Sequence, residues 1–492
     1  MTYTIIFLVI IIALTFEFIN GFHDTANSIA TVVGTKVLTP RHAIMLAACT
    51  NLIGALAGHA VAKTVSSGLV DAQFVSPQVI ICALLGGIVW NLLTWWFGLP
   101  SSSTHALVSG ICGAALARAH GNWDAIIWSV RKVKDGKVVM EGVLHKVIIP
   151  MLTSPLIGFF GGLLIMGLFY ALLRGARPRF VNRFFGKAQI LSAAYMGFST
   201  GLSDAQKTMG VITLALVTAT ATGTFADMPD WLGFLRMDKS QQADASIKLL
   251  RNPQATPAQL QQAAGVLEHE GGRLQPGEFK HAFLTLAAKT YAAVDDREAA
   301  ARLAALAAGS HQSLLAEEDA RLLTKVPLLG RMVAATHTDW QQLLTREMQA
   351  ATLAQQNPLV VAAGKVHELA PDVPIWIKIL CSLTMAAGTA SGGWRIMRTL
   401  GHKIVKLQPV HGFAAETTAA TLLAVTGYLG MTVSTTHSIT TAIMGVGCAK
   451  RFNALKFSLV ERILWAWVLT LPAAGSIAYL LVKGGQLCGW IP

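Results

Sequence analysis

The feature that most constrains this chain is a series of apolar segments long enough to cross a lipid bilayer. A membrane-spanning helix needs roughly 20 predominantly apolar residues, and several segments reach or exceed that length. Only 13% of the 492 residues are charged, against about 25% in an average soluble domain. The sequence therefore predicts a polytopic membrane protein and excludes a soluble enzyme, a disordered scaffold and a disulfide-stapled secreted protein.

The positive charge of the chain indicates membrane loops rather than a nucleic-acid surface. The formal net charge is +13, yet a polar insert at 226–373 holds 14 basic and 17 acidic residues, so the excess lies in the membrane part. Short loops rich in Lys and Arg usually lie on the cytoplasmic side of a membrane, where they contact anionic lipid. We expect a lipid bilayer and no nucleic acid as partner. The loops 174–187, 395–406 and 131–137 are all basic, which leaves the side of the membrane open.

Four apolar segments are longer than one membrane crossing requires, and a polar cluster interrupts each of them. They lie at 4–35, 79–118, 188–224 and 410–448. Interrupted hydrophobic segments in matching positions are typical of broken helices or re-entrant hairpins. One or two crossings per segment predict about ten to twelve passes in all.

The interruptions repeat in order, an acid motif and then a run of hydroxyl residues ending in His. Asp24 precedes His105 by 81 positions, and Asp204 precedes His437 by 233. The difference of 152 is close to the 148 residues of the insert. This spacing is explained if one unit was duplicated and the second copy was interrupted by the insert. Each half then begins with a long broken segment, which is typical of inverted repeats.

The predicted fold class is therefore an all-α polytopic membrane protein. We expect an inverted-repeat transporter with broken or re-entrant helices and a helical soluble insert. The first membrane repeat is 1–173, the second starts at 188–225 and continues at 374–492, and the insert is 226–373. The insert is rich in Ala, Leu, Gln and Glu with helical spacing and shows no metal, nucleotide or catalytic motif, so a solvated helical spacer is favoured over a ligand-binding domain.

Carboxylates inside apolar segments are the strongest indication of function. Each costs at least about 2.5 kcal/mol at membrane depth and usually lines an ion path; the alternative is a pair that holds two helices together. The four such residues are Glu17, Asp24, Asp204 and Glu416.

The two acid motifs offer different ligands. Asp24 and Asn27 are three apart and share one helix face, so their oxygens suit a hard cation such as Na⁺, whereas Asp24 alone can accept a proton. In the second motif, Lys207 either pairs with Asp204 or helps to hold an anion.

The hydroxyl runs predict helix starts that bind an oxyanion. Ser and Thr are N-cap residues, and Pro100 suits a helix start. Free N–H groups and the positive dipole end of a helix attract anions. The runs 101–105 and 434–437 occupy matching positions, so two helix starts meeting at the midplane would suit a tetrahedral oxyanion. The alternative is ordinary bonding between membrane helices.

Neither hydrolysis nor ATP-driven pumping is predicted. No nucleophile has a clear base partner, and no phosphate-cradling GxxxxGK[ST] loop is present. We expect a non-enzymatic protein without a resident cofactor or metal site, which draws its energy from an ion gradient.

These motifs resemble those of the inorganic phosphate transporter (PiT) family, and most of all its bacterial low-affinity branch. In that family, paired acid motifs bind coupling cations and phosphate between inverted repeats. Two departures are Ser203, where the family has Asn, and Thr432, where bacterial relatives often have Pro. The resemblance rests on segments 17–27, 97–105, 198–210, 388–404, 412–416 and 433–437.

The resemblance implies roles for individual residues. Phosphate oxygens would be bound by Ser102, Ser103, Thr104, Ser434, Thr435 and Thr436, with Gln206 near them. The coupling cation or proton would be bound by Asp24, Asn27 and Asp204, with Glu416 near them.

We predict a secondary transporter of the bacterial inner membrane that imports inorganic phosphate with protons by alternating access. The phosphate is carried free or as a neutral complex with a divalent metal. The alternatives are a Na⁺-coupled phosphate symporter, a sulfate permease of the same fold, and a phosphate sensor that signals through the insert. The resemblance favours a cytoplasmic insert, and the sequence does not decide between a monomer and a homodimer.

Overall fold

Twelve α-helices make up nearly all of the described membrane part and confirm the all-α class. The structure, a computed structural model, describes residues 2–58, 60–67, 69–71, 74–134, 137–221, 225, 229–235, 237, 373–403, 405, 407–450 and 455–491. The helices are α1 Thr2–Gly34, α2 Pro40–Ala57, α3 Ala60–Ser67, α4 Pro77–Phe97, α5 Ser103–Arg118, α6 Ile149–Leu172, α7 Pro178–Ala221, α8 Ile375–Ser391, α9 Trp394–Arg398, α10 Pro409–Tyr428, α11 Thr435–Lys450 and α12 Phe457–Leu487.

Short elements connect some of these helices. Strand β1, Val130–Lys134, pairs antiparallel with β2, Lys137–Glu141, so the basic loop between α5 and α6 is a hairpin. The remaining short elements are the 3₁₀ turns Trp123–Ala125 and Asp230–Leu235 and the π-turns Leu144–Ile148 and Thr399–Lys403.

The chain separates into two compact units. The first is Met1–Ala219 with Asp372–Pro492, and the second is Thr220–Pro371. The insert predicted at 226–373 lies almost wholly within the second unit, and most of it falls outside the described residues. Its helical character therefore stays a prediction.

The two acid motifs lie inside unbroken helices, so the breaks predicted there are wrong. Helix α1 continues through Asp24, and α7 continues through Asp204. Polar side chains interrupt a helix when they compete for its own backbone. Here the two carboxylates accept hydrogen bonds from side chains, including those of other helices, and the helical backbone stays intact.

The two hydroxyl runs do lie at helix breaks, as predicted. Helix α4 ends at Phe97 and is capped by Gly98, whose φ of 65° only Gly adopts easily, and α5 begins at Ser103. Helix α10 ends at Tyr428, and α11 begins at Thr435. Two further breaks bend α2 against α3 by 68° and α8 against the segment containing α9 by 63°.

Fewer helices meet the criteria for a membrane span than the sequence predicts. Among the described residues, α1, α4, α6 with its preceding π-turn, and α12 are each long and apolar enough, and the two bent pairs raise the number to six at most. Helices α5 and α11 have 16 residues each, or about 24 Å against a hydrocarbon core of about 30 Å. The estimate of about ten to twelve passes therefore stays a prediction.

The two halves contact each other reciprocally through glycines. A Cβ atom at Gly54 of α2 would lie 2.0 Å from the Phe198 carbonyl oxygen of α7. A Cβ at Gly388 of α8 would lie 2.2 Å from the Phe18 carbonyl oxygen of α1. Phe18 and Phe198 occupy equivalent positions, each six residues before the aspartate of its motif. Each half therefore makes the same contact with the other, as expected for a two-fold relation. The inversion of one half across the membrane stays a prediction.

We expect Gly201→Ala to destabilise the protein by about 1–3 kcal/mol or more, because overpacking a tight contact forces backbone shifts. The added Cβ would lie 2.1 Å from the Asn51 carbonyl oxygen of α2. Thermal unfolding in detergent measures the effect. Gly167→Ala in α6 is the control, since its Cβ meets nothing within 4 Å. Equal unfolding temperatures for the two variants would contradict this close packing.

Candidate functional site

Asp24 lies buried between the starts of α5 and α11. The Ser103 hydroxyl of α5 donates to its Oδ2 at 3.1 Å. The Thr436 hydroxyl donates to Oδ1 at 3.3 Å, and the Thr435 hydroxyl to Oδ2 at 3.4 Å, both from α11. One carboxylate thus accepts hydrogen bonds from hydroxyls of both halves, and the two hydroxyl runs converge on one of the acid motifs.

Asn27 lies on the same side of α1 as Asp24. Its amide nitrogen donates to the hydroxyls of Thr436 at 2.9 Å and Thr435 at 3.3 Å. Its amide oxygen is buried and has no hydrogen-bond partner among the described residues. Asp24 and Asn27 therefore place carboxylate and amide oxygens in one buried region, and such oxygens are the ligands that a hard cation prefers.

The second acid motif forms a buried ion pair. The Lys207 ammonium of α7 donates to Asp204 Oδ1 and to the Thr104 hydroxyl, and lies 3.5 Å from the Val433 carbonyl oxygen. The sequence left open whether Lys207 pairs with Asp204 or helps to hold an anion, and in the structure it pairs with Asp204. Lys207 stands in the position equivalent to Asn27, so one motif is internally neutralised and the other is not.

Ser102 and Ser434 cap the two helices at their N-termini. The backbone N–H of His105 donates to the Ser102 hydroxyl at 3.2 Å, and that of His437 to the Ser434 hydroxyl at 3.2 Å. These caps fix the first turns whose remaining N–H groups lack partners within the helix. The two helix starts retain the donors and the dipole that favour an anion.

His105 and His437 pack against each other instead of forming hydrogen bonds. Their rings meet edge to face with centroids 4.8 Å apart, and His437 stacks on Trp467 at 3.9 Å. Neither ring has a hydrogen-bond partner in the part of the chain that the structure describes. The two residues stand at matching positions of the two hydroxyl runs, so the runs meet at their histidines.

The sequence reasoning missed His23. Its Nδ1 lies 3.0 Å from Asp24 Oδ1, and its Nε2 lies 3.3 Å from the Thr94 hydroxyl and 3.5 Å from the Ser101 hydroxyl. An imidazole can hold or pass a proton. A buried His directly before a membrane-depth Asp was the signal that could have identified it.

Gln206 lies at the start of α3 rather than in the hydroxyl cluster. Its side-chain oxygen accepts from the backbone N–H of Val61 at 2.8 Å and of Ala62 at 3.4 Å. These are donors that a helix start leaves without intrahelical partners. In this structure Gln206 caps α3 where the chain bends.

Glu416 belongs to a separate buried cluster. It accepts hydrogen bonds from the hydroxyls of Thr31 and Ser192 and from the Gln189 amide at 3.2 Å. Thr31 lies seven residues after Asp24 on α1, about 10 Å along the helix. The Glu416 carboxylate therefore lies beside the Asp24 cluster without contacting it.

The chemistry of the site is that of ion binding. The described residues contain no group of three or more His, Cys, Asp or Glu side chains that could hold a metal ion. What converges is a set of hydroxyl donors, two helix starts, one lysine–aspartate ion pair and one carboxylate in contact with hydroxyls and an imidazole. Such a site can hold an oxyanion and a small cation together.

Comparison with known proteins gives consistent results. The profile of the phosphate transporter family matches residues 20–180 and 173–478. A probable low-affinity inorganic phosphate transporter of Rhizobium meliloti (strain 1021) is 31% identical over 97% of this chain and 96% of its own length. The one of Bacillus subtilis (strain 168) is 28% identical, also over 97% and 96%.

The solved structures give a similar fold. A chain described as the sodium-dependent phosphate transporter superposes with a TM-score of 0.52, covering 98% of this chain and 99% of its own, at 20% identity. At that identity the likeness concerns the fold alone.

We expect Lys207→Met to destabilise the protein by about 3–5 kcal/mol, because it leaves Asp204 as an uncompensated buried charge. The double variant Asp204→Asn/Lys207→Met removes both charges and recovers most of the loss. Unfolding temperature and yield in detergent measure the effect. Lys187→Met at an exposed position of the same helix is the control. A double variant no more stable than Lys207→Met would show that the pair is not what holds Asp204.

Proposed function

Because the chain belongs to the phosphate transporter family, we propose that it imports inorganic phosphate by proton symport with alternating access. It is a multi-pass protein of the plasma membrane, and phosphate is the substrate of its family. The proposal concerns the coupling ion, the mechanism and the residues.

One observation carries the proposal: the hydroxyls of both helix starts donate to the Asp24 carboxylate. Ser103, Thr435 and Thr436 supply these bonds. The donors that suit a carboxylate also suit a phosphate oxygen, since both are oxyanions. Phosphate therefore binds where α5 and α11 begin and competes with Asp24 for the same hydrogen bonds.

This competition couples phosphate to a cation. Two like charges about 4 Å apart repel by about 4 kcal/mol at an effective dielectric constant of about 20. Phosphate beside an ionised Asp24 would suffer this repulsion, and a proton or Na⁺ on Asp24 removes it. Phosphate and cation consequently bind better together than either binds alone, which is the thermodynamic basis of symport.

The contact between His23 and Asp24 favours the proton over Na⁺. A proton can pass between the imidazole and the carboxylate across their 3.0 Å contact, whereas Na⁺ requires several oxygens at once. The amide oxygen of Asn27 supports the sodium alternative. A divalent metal carried with phosphate would lower the cost of desolvating the dianion in the same way.

Labelled phosphate uptake into proteoliposomes, with proton and sodium gradients imposed separately, tests the proposal. We expect an inward proton gradient to drive accumulation, and excess sulfate not to compete. Accumulation driven only by sodium would establish the sodium symporter, and competition by sulfate the sulfate permease. A sensor would show no phosphate counterflow.

The same assay tests the hydroxyl cluster. We expect Thr435→Val to weaken apparent phosphate affinity about tenfold or more, the effect of losing one hydrogen bond to a charged group. Thr384→Val is the matched control, since that hydroxyl donates to the Leu380 carbonyl of its own helix. Equal affinities in the two variants would remove Thr435 from the phosphate site.

We expect Asp24→Asn to lower gradient-driven accumulation at least about tenfold, since coupling of this kind is typically worth 5–150-fold. The amide preserves the size of the side chain but cannot take up a proton. Asp124→Asn, at an exposed position between α5 and β1, is the control. Unchanged coupled uptake in Asp24→Asn would refute its role.

A further inference from the structure

Glu17 is a buried carboxylate that the phosphate site does not use. It lies on α1 seven residues before Asp24, so both project from nearly the same side of the helix about 10 Å apart. Its side chain is fully buried. No function assigned above explains why a carboxylate stands there.

The hydrogen bonds of Glu17 are incomplete. The Thr208 hydroxyl of α7 donates to Oε2. Its Oε1 is buried and has no hydrogen-bond partner among the described residues. One hydroxyl does not balance a full negative charge away from water.

Among the described residues, no cation forms an ion pair with Glu17. The titratable groups that face it from other helices are Asp204 and Lys207 of α7 and the Cys381 thiol of α8. The Lys207 ammonium is hydrogen-bonded to Asp204 and Thr104 instead. Helix α4, which also packs on α1, carries no Asp, Glu, Lys, Arg or His.

The Thr208 hydroxyl can form a hydrogen bond with Glu17 whether the carboxyl group is ionised or protonated. A hydroxyl can donate to a carboxylate or accept from a protonated carboxyl by rotating about one bond. The contact also joins the two halves, because α1 and α7 open the first and second repeats. A shift of one half against the other therefore changes the surroundings of Glu17 directly.

The site exists only once in the duplicated fold. The position equivalent to Glu17 in the second half, 180 residues later, is Gly197. That glycine packs against Thr50 of α2. A carboxylate needed to build the repeat would be expected in both halves, whereas one that serves a single ion needs to occur once.

We propose that Glu17 is a second proton-binding residue of the transport cycle, taking up a proton on one side of the membrane and releasing it on the other. This inference rests on the proposed proton symport. Glu17 carries one proton per cycle in addition to the cation that neutralises Asp24. Its proton enters and leaves through the movement of α1 against α7.

Glu17→Gln tests the proposal, because the amide keeps the size of the side chain and can still accept the bond from Thr208 but does not bind and release a proton as a carboxyl group does. Under a gradient of one pH unit, we expect the steady-state phosphate accumulation to fall about tenfold, the effect of one fewer proton per phosphate. A pH-sensitive dye in the liposomes should record one proton fewer per phosphate. Phosphate counterflow, which needs no net proton movement, should continue.

The controls separate this inference from the proposed function. Glu461→Gln on the exposed face of α12 should keep the wild-type proton-to-phosphate ratio. A wild-type ratio in Glu17→Gln, or loss of counterflow in a correctly folded Glu17→Gln, would overturn the role of Glu17. Absence of counterflow in the wild type would instead overturn the proposed function.

Thr208→Val keeps the inference testable if Glu17→Gln does not fold. That variant retains the carboxyl group and removes the one hydroxyl that donates to it. The pH at which phosphate uptake is half-maximal should shift, while the proton-to-phosphate ratio stays the same. An unchanged pH profile would contradict proton binding by Glu17.

Discussion

The structure depends on keeping carboxylates in a medium that does not solvate them. Each of the four lies in the interior, and each is treated differently. Asp204 has a lysine, Asp24 has hydroxyls and an imidazole, Glu416 has hydroxyls and an amide, and Glu17 has little more than one hydroxyl. The four carboxylates thus differ in the groups that compensate them, and under the proposed function those without a lysine are the ones whose compensation an arriving ion completes.

Three of the four carboxylates accept a hydrogen bond from the other half of the chain, which links packing to mechanism. Asp24 of the first half depends on Thr435 and Thr436 of the second. Glycines at the helix crossings bring backbones close enough for these short side chains to reach. A transporter whose halves move therefore cannot move without changing how its charges are balanced, and bound ions gain influence over the conformation.

The features that sequence alone predicted well are those governed by local chemistry. Ser102 and Ser434 mark helix starts because capping involves residues three apart. The shared face of Asp24 and Asn27 follows from helix geometry. The failures concern tertiary neighbours. An Asp inside an apolar run looks like an interruption until the hydroxyls that bond to it are known. The bonds from the start of α3 to Gln206 were likewise not visible from the sequence. His23 was overlooked although its nearest partner, Asp24, is the next residue of the same helix; its contacts with Thr94 and Ser101 were not visible from the sequence.

The packing of helices from one half against helices of the other also has a consequence for biogenesis. Helix α1 is covered by α8 through the bond from Thr25 to the Thr389 carbonyl and the crossing of Gly21 with Met385. At about 5–20 residues per second, α8 leaves the ribosome tens of seconds after α1. During that interval the polar face of the first helix lacks its final neighbour. Newly made chains must therefore shelter this face, with the translocon or with provisional partners, until the last helices arrive and native assembly begins.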